Sequence, residues 1–403
     1  MNREAVTAHA RQALAPWLGL AALDPFLDRN WTREALHVAG DVAATARAAA
    51  LLDWDGLSHV LAWQPLVPPR IRLVRGQQDV PAARYLRMSD GFSRLDAGAL
   101  AQLLEAGQTL VINGLDELVP AVGALADTMA DALDGWASAN LYASWTADEG
   151  FARHWDPSEV IVVQLAGTKH WTMHRPTTEA PLDGQVVPAP AADKPPWWEG
   201  TLAPGDVLYL PRGWWHLVRA VDGPSLHLTF TLQLPLAADY LGWLVGEAAR
   251  ADPALRAALP AAEAGDDVAV AARLREALGG AITAQSLARW RSNHAARRSA
   301  RPRLALPGFE REPSEAWTAS TRLRLATRRA LDLVPAGPQS APAIMLAGRE
   351  WSLDPSVAAA LARLGSTHAT ALGDLETGLS PAQTTMLRQL LRLLLGSGAL
   401  FAG

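Results

Sequence analysis

The rhythm of apolar and polar positions changes twice along the chain. Up to about residue 138, helical spacing alternates with proline-rich connections. Asp24-Pro25-Phe26-Leu27 reads as a turn ahead of a docking segment at Asn30–Glu34, and Arg70–Val74 alternates as a half-buried strand should. Asp96 is placed to cap a helix through Leu103 and Leu104 that ends near Gly107. Thr109–Ile112 then reads as a buried strand and Val119–Trp136 as a helix. From Ala139 to Leu234 short strands take over: Ala139–Ser144, Glu159–Leu165, Lys169–His174, Val207–Leu210 and Leu226–Leu232. Clusters of Gly, Pro and Asp separate them, which predicts an antiparallel sandwich or barrel. Ala166-Gly167-Thr168 reads as the turn of a hairpin, and proline-rich Pro176–Gly200 as a long surface loop.

After Pro235 the chain turns helical and alanine-rich from Ala237 to Ala288, with breaks at Gly265 and at Gly279-Gly280. Arg289–Arg303 holds six arginines and no acid. That composition predicts a solvated linker, with a contact surface for an anionic partner as the alternative. Beyond it, Asp354-Pro355 and Ser380-Pro381 start helices, while Ala343–Leu346 and Arg349–Leu353 are strand-like, a mixture compatible with a winged helix.

Composition narrows the class. A chain of 403 residues with 49% hydrophobic and 19% charged residues has material for real cores in two or three domains. No run approaches the ~18–20 apolar residues of a membrane span, and the first residues lack an apolar signal core, so a cytoplasmic location is expected. A net charge of −5 argues against a protein that coats nucleic acid. Cysteine is absent, which removes disulfides, thiolate metal sites and cysteine nucleophiles. The tryptophan pairs Trp197–Trp198 and Trp214–Trp215 are expected to pack in a core or interface. Lysine occurs only at Lys169 and Lys194.

The chemistry concentrates in Phe151-Ala-Arg-His154-Trp-Asp156 and, 60 residues after Asp156, in Pro211-Arg-Gly-Trp-Trp-His216. Residues i and i+2 of a strand point to one face, so His154 and Asp156 can aim at one point. A histidine from a neighbouring strand completes two imidazoles and a carboxylate on one face of an octahedral metal, leaving three positions open. Non-haem Fe(II) oxygenases use that arrangement, although the same donors also hold Mn, Co, Ni or Zn. A His-x-Asp tripeptide alone is weak. Its neighbours strengthen it: Ala203–Gly213 reads as turn, buried strand and turn delivering His216 inwards, and Val162–Trp171 sets Lys169 on the strand after the ligand segment. There the lysine is a buried cation suited to a carboxylate.

The stretches ANLYAS, HWDPSEVIVVQLAGTKHW, APGDVLYLPRGWWH and SLHLTFTL, all between Asn140 or its neighbour and Leu232, resemble the JmjC or cupin-like core of the ribosomal oxygenase family. These are Fe(II)/2-oxoglutarate protein hydroxylases. The resemblance implies a mainly β core with α additions: a double-stranded β-helix with its N-terminal extension over 1–236, a helical dimerisation region over 237–300, and a winged-helix-like domain over 301–403. It makes His154, Asp156 and His216 the iron ligands and Lys169 the partner of the 2-oxoglutarate distal carboxylate. Asn140 would contact the cosubstrate, and Tyr142 and His227 would line the pocket. His170 and His174, of opposite strand parity to Lys169, would face outwards. One departure stands out, since Pro157 occupies a place where members of the family often carry a second acid.

The activity implied is hydroxylation of an amino-acid side chain in a protein or peptide, a ribosomal protein foremost, with O₂ consumed and succinate and CO₂ released by a homodimer. Three rivals stand beside it. A peptide natural product could be the substrate, given Pro195-Pro196-Trp197-Trp198. A metal-dependent cupin enzyme without a keto acid has no use for Lys169, and a non-catalytic module binding ribosomes or nucleic acid has no use for the triad.

Overall fold

The computed structural model describes residues 3–76, 78–146, 150–259, 266–296, 317–325, 332–334, 341–346, 349–365 and 368–402. They fall into two compact units, Thr7–Leu234 and Pro235–Gly403, with residues 1–6 grouped with the second.

The first unit opens with helices α1 (Arg3–Leu14) and α2 (Asp24–Arg29). Asp24-Pro25 thus starts a short helix where the sequence predicts a turn, because proline sits well in a first helical turn. Strand β1 (Leu36–Val38), helices α3 (Val42–Ala49) and α4 (Trp54–Trp63), and strands β2 (Ile71–Arg75), β3 (Gln78–Asp79), β4 (Leu86–Ser89) and β5 (Phe92–Leu95) follow. Helix α5 (Ala97–Glu105) is capped by Asp96, whose side chain accepts from the Ala99 N–H. Strand β6 (Thr109–Ile112) is buried throughout, and helix α6 (Pro120–Ala132) stops short of Trp136. The barrel strands are β7 (Trp136–Ser144), β8 (Glu159–His174), β9 (Trp198–Leu202), β10 (Val207–Leu210) and β11 (Trp215–Gln233).

Here the structure corrects the sequence. Glu159–His174 is one strand of 16 residues, with no hairpin at Gly167. Its first half lies between β10 and the second half of β11; its second half lies between β9 and the first half of β11. The two long strands therefore serve two sheets each, one ordered β1-β10-β8-β11-β7-β6-β2-β3 and the other built from β9, β8 and β11. This is a double-stranded β-helix. Both long strands bend at one place: Gly167 has φ +59° opposite a bulge in β11, where Asp222 (φ +59°) and Gly223 (φ +111°) turn out of register. A Cβ on Gly167 would lie 2.0 Å from the Pro224 carbonyl oxygen, so glycine marks a close approach of two strands rather than a reversal.

The bend also exchanges the faces of β8. Val160 and Val162 before it pack in one cluster with Trp171 and Met173 after it. On β7 the faces alternate plainly: Ala137, Ala139, Leu141 and Ala143 are buried in the main core, whereas Ser138, Asn140 and Tyr142 are half-buried on the opposite face. Burial of Leu141 contributes roughly 1.5–3 kcal/mol and each alanine methyl less, and together they fix which face looks inwards.

The proline-rich segment ends in β9, and its tryptophans pack as expected. Trp197 meets Trp214 edge-on with ring centroids 4.9 Å apart, and the Arg175 guanidinium lies over both rings. His174 departs from the outward placement predicted for it. It is buried, because the returning Lys194-Pro195 segment comes over it, and burial together with Arg153 and Lys194 holds its imidazole below the ordinary pKa. His170 is half-buried and pairs with Glu199 at 3.3 Å.

The second unit begins with α7 (Ala237–Ala251), α8 (Asp267–Ala281) and α9 (Ala284–Ala296). Gly279-Gly280 falls within the last turn of α8 rather than breaking it, while Gly265 lies outside the described residues. So do residues 297–303 of the arginine-rich segment, whereas Arg289–Ala296 is the end of α9 rather than the linker that the composition predicts. Strands β12 (Arg322–Leu325), β13 (Asp332–Val334), β14 (Ala343–Leu346) and β15 (Arg349–Ser352) precede α10 (Pro355–Leu361), β16 (Thr370–Ala371), α11 (Leu372–Glu376), α12 (Pro381–Gly396) and β17 (Leu400–Ala402). Asp354 caps α10, and Ser380 with Gln383 forms a capping box on α12. Among the described residues no helix is long and apolar enough to cross a membrane.

Candidate active site

His154 lies where the chain returns to the barrel after β7, and His216 is the second residue of β11. The two exchange backbone hydrogen bonds, His154 N–H to His216 O at 3.1 Å and His216 N–H to His154 O at 2.8 Å. Pairing at this point brings the imidazoles together, with ring centroids 4.2 Å apart. One side-chain donor atom from each of His154, Asp156 and His216 lies within 4.8 Å of the others. The His216 Nε2 is 3.6 Å from Asp156 Oδ2. Each imidazole is oriented by its other nitrogen: His154 Nδ1 lies 2.9 Å from the Ala152 carbonyl and His216 Nδ1 3.2 Å from the Trp214 carbonyl. An Nδ1–H donated to a carbonyl leaves the Nε2 lone pair free for a metal. Burial, with His154 alongside, pushes the His216 pKa down to about 4, although Asp156 pulls the other way. His216 is therefore neutral at pH 7, as a metal ligand must be.

The triad opens on a cavity of ≈ 240 Å³ lined also by Lys169, Tyr142, His227 and Trp171. Lys169 is 2% exposed, and its Nζ donates to the Tyr142 carbonyl oxygen at 3.3 Å. An ammonium has three N–H donors, so one long bond leaves most of its capacity pointed at the cavity. Desolvation lowers its pKa to about 7. Tyr142 and His227 stack at 5.1 Å with planes 12° apart. Burial raises the Tyr142 pKa to about 12 and holds His227 well below its ordinary value, keeping both neutral. Two buried polar atoms of the lining, His227 Nδ1 and Trp171 Nε1, have no hydrogen-bond partner among the described residues. Such groups are costly to bury unless something occupies the cavity.

Asn140 shares a face of β7 with Tyr142 but stands outside the lining, its Oδ1 accepting from the Gly114 N–H at 3.0 Å. Sequence reasoning passed over Arg72 and Arg219, which also line the cavity. Arg72 comes from β2 and is held by Asp79 through bonds of 2.9 and 3.2 Å. No motif surrounds it; only the half-buried alternation of its strand hinted at it.

Two imidazoles, one carboxylate and a buried cation in one cavity fit a divalent metal with an anionic, chelating small molecule. The fold and site define a JmjC domain, and residues 119–240 match that family. Residues along 30% of the chain are 37% identical to ribosomal oxygenase 2 of Bos taurus, over 28% of that protein. Over 54% of the chain the identity is 31% to ribosomal oxygenase 1 of Rattus norvegicus, over 36% of its length. The likenesses are to the JmjC domain and, among curated proteins, to ribosomal oxygenases. The chain matches between 10% and 36% of the length of its curated relatives. In fold it is similar to YcfD, a ribosomal oxygenase from Escherichia coli solved in complex with cobalt and 2-oxoglutarate. The TM-score is 0.54 at 17% identity, covering 94% of this chain and 97% of that one.

Proposed function

We propose that the chain is an Fe(II)- and 2-oxoglutarate-dependent oxygenase that hydroxylates an amino-acid side chain of a protein or peptide, with a ribosomal protein as the substrate. The observation that carries this reading is one cavity holding both the His154, Asp156 and His216 donor set and the buried Lys169. Three protein donors without thiolate suit Fe(II) and leave positions for a bidentate keto acid and for O₂. The solved relative's cobalt and 2-oxoglutarate support the same pairing here.

In this reading His154, Asp156 and His216 hold the metal, and the Nδ1 bonds of the histidines to Ala152 and Trp214 keep Nε2 aimed at it. Lys169 pairs with the distal carboxylate of 2-oxoglutarate, a charge-assisted contact made by a side chain that is itself buried. Tyr142, His227 and Trp171 form the walls, and Asn140 braces β7 through Gly114. Bound there, Fe(II) with 2-oxoglutarate and O₂ supplies the oxidative chemistry that hydroxylates a C–H bond and releases succinate and CO₂. A metal-dependent cupin enzyme without a keto acid leaves Lys169 unexplained.

The domain proposal places the catalytic domain at 1–236, a helical dimerisation region at 237–300 and a winged-helix-like domain at 301–403, in a cytoplasmic homodimer. Apolar Leu241 and Val245, one turn apart on α7 and 46% and 48% exposed, support an interface there. The test is stoichiometric: with Fe(II), 2-oxoglutarate and a peptide set tiled across ribosomal proteins in air, succinate above the peptide-free rate and a peptide gaining one oxygen are expected in equal amounts. Succinate without any modified peptide would refute the ribosomal substrate while leaving the chemistry standing.

A further inference from the structure

We infer that Glu159, acting with Tyr209, is a positioning residue of the metal site: its carboxylate ties the strand that follows Asp156 to the turn that precedes His216. The inference rests on the reading of His154, Asp156 and His216 as metal ligands. Asp156 sits on a loop three residues before β8, and His216 follows the Pro211-Arg212-Gly213 turn after β10. A facial donor set needs these two connections held at a fixed separation.

Glu159, the first residue of β8, is 5% exposed and lies outside the cavity lining. Its Oε1 accepts from the backbone N–H of Arg212 at 3.3 Å, and its Oε2 accepts a short hydrogen bond from the Tyr209 hydroxyl. The Tyr209 oxygen in turn accepts from the Thr32 N–H at 2.8 Å. The Tyr209 ring is fully buried, edge-on to Phe26 at 4.9 Å and tilted against Trp31 at 5.5 Å. The N-terminal helical segment, the strand before the His216 turn and the strand after the Asp156 loop thus meet at one carboxylate. The Gly213 N–H closes the same junction from the other side, donating to the Asp156 carbonyl at 3.0 Å.

A buried carboxylate is retained at high desolvation cost and is satisfied here by two donors, one from β10 and one from the turn that follows it. A purely structural role would be served as well by apolar packing. What a carboxylate adds is two acceptors at fixed spacing, which set the turn relative to the loop. Glutamine keeps one acceptor and presents an NH2 in place of the other, so the Tyr209 hydroxyl, which already accepts from Thr32, must reverse its role and lose its charge-assisted bond. Glu159→Gln thus weakens one of the two ties at almost constant volume. Tyr209→Phe removes the hydroxyl and leaves the ring packing.

The experiment titrates Co(II) into the full-length, metal-free protein by calorimetry and records the visible Co(II) spectrum. Wild type, Glu159→Gln, Tyr209→Phe and Leu103→Ala are compared, the last a core change on α5 that lowers stability without touching either connection. Both clamp variants should bind Co(II) more weakly, with altered absorption bands, by up to the roughly 10- to 100-fold that follows loss of a direct partner of a metal ligand. Leu103→Ala should match wild type in affinity and spectrum despite a lower thermal midpoint. Unchanged Co(II) affinity in both clamp variants, or an equal loss in Leu103→Ala, would overturn the clamp. Failure of the wild type itself to bind Co(II) would overturn the metal-site reading on which it rests, and only the wild-type arm reports that.

Discussion

Lys169 concentrates the residue-scale argument, because a buried ammonium with one hydrogen bond is an expensive group to keep. If it meets the distal carboxylate of 2-oxoglutarate, Lys169→Ala forfeits a charged hydrogen bond of roughly 1.5–3 kcal/mol. Cosubstrate affinity should then fall about 10- to 150-fold while Co(II) affinity stays level, both readable by titration. The lysine also sets a pH dependence. Desolvation lowers its pKa from 10.5 to about 7, so between those values the unfolded chain binds a proton that the folded chain does not. Stability must therefore rise with pH across that window, and the burial penalty is fully present below about pH 7. The thermal midpoint of the metal-free wild type should gain on that of Lys169→Met between pH 7 and 9; parallel curves would show Lys169 charged throughout. Residues announced by local spacing were legible in the sequence. The close spacing of His154 and Asp156 marked the pair, although no strand carries it: His154 joins His216 through an isolated bridge and Asp156 lies on the loop that follows. Arg72 was not legible, since it reaches the cavity from β2, far away in sequence. Nor was the burial of His174, which depends on where a long loop returns.

At the scale of elements, alternation located the barrel strands but not their continuity. Gly167 reads as a turn because glycine usually punctuates, yet here its positive φ bends β8 through 16 residues of uninterrupted strand. The difference is testable. Gly167→Ala adds a Cβ 2.0 Å from a backbone oxygen as well as left-handed strain, and should cost more than ~2 kcal/mol of unfolding free energy in denaturant titration. Gly184→Ala, at φ +73° with open space around it, carries the strain alone and should cost about 1–2 kcal/mol. Equal losses would mean that Pro224 yields freely. Helix starts were better marked than helix ends: Asp96, Asp354 and Ser380 cap helices as their side chains predict, whereas α6 ends before Trp136 and α8 runs through Gly279-Gly280.

For the whole molecule, the large apolar residues of α7 divide in two. Tyr240 and Leu244 are buried against Trp290 within their own unit, so they need no partner, while Leu241 and Val245 remain open. The homodimer proposal thus narrows to the Leu241 face. Light scattering at micromolar concentration should give twice the chain mass for wild type and the single-chain mass for Leu241→Glu with Val245→Glu; a monomeric wild type would refute it. The central claim lies in the first unit and needs no knowledge of the protein substrate. The direct measurement is succinate formed from 2-oxoglutarate in air with Fe(II) added, wild type beside Asp156→Ala. The account predicts slow, Fe(II)-dependent succinate from the wild type even without a protein substrate, and none above background from Asp156→Ala, which leaves two imidazoles to hold the metal. Succinate formed equally by both proteins, or by neither when the wild type is loaded with Fe(II), would contradict it.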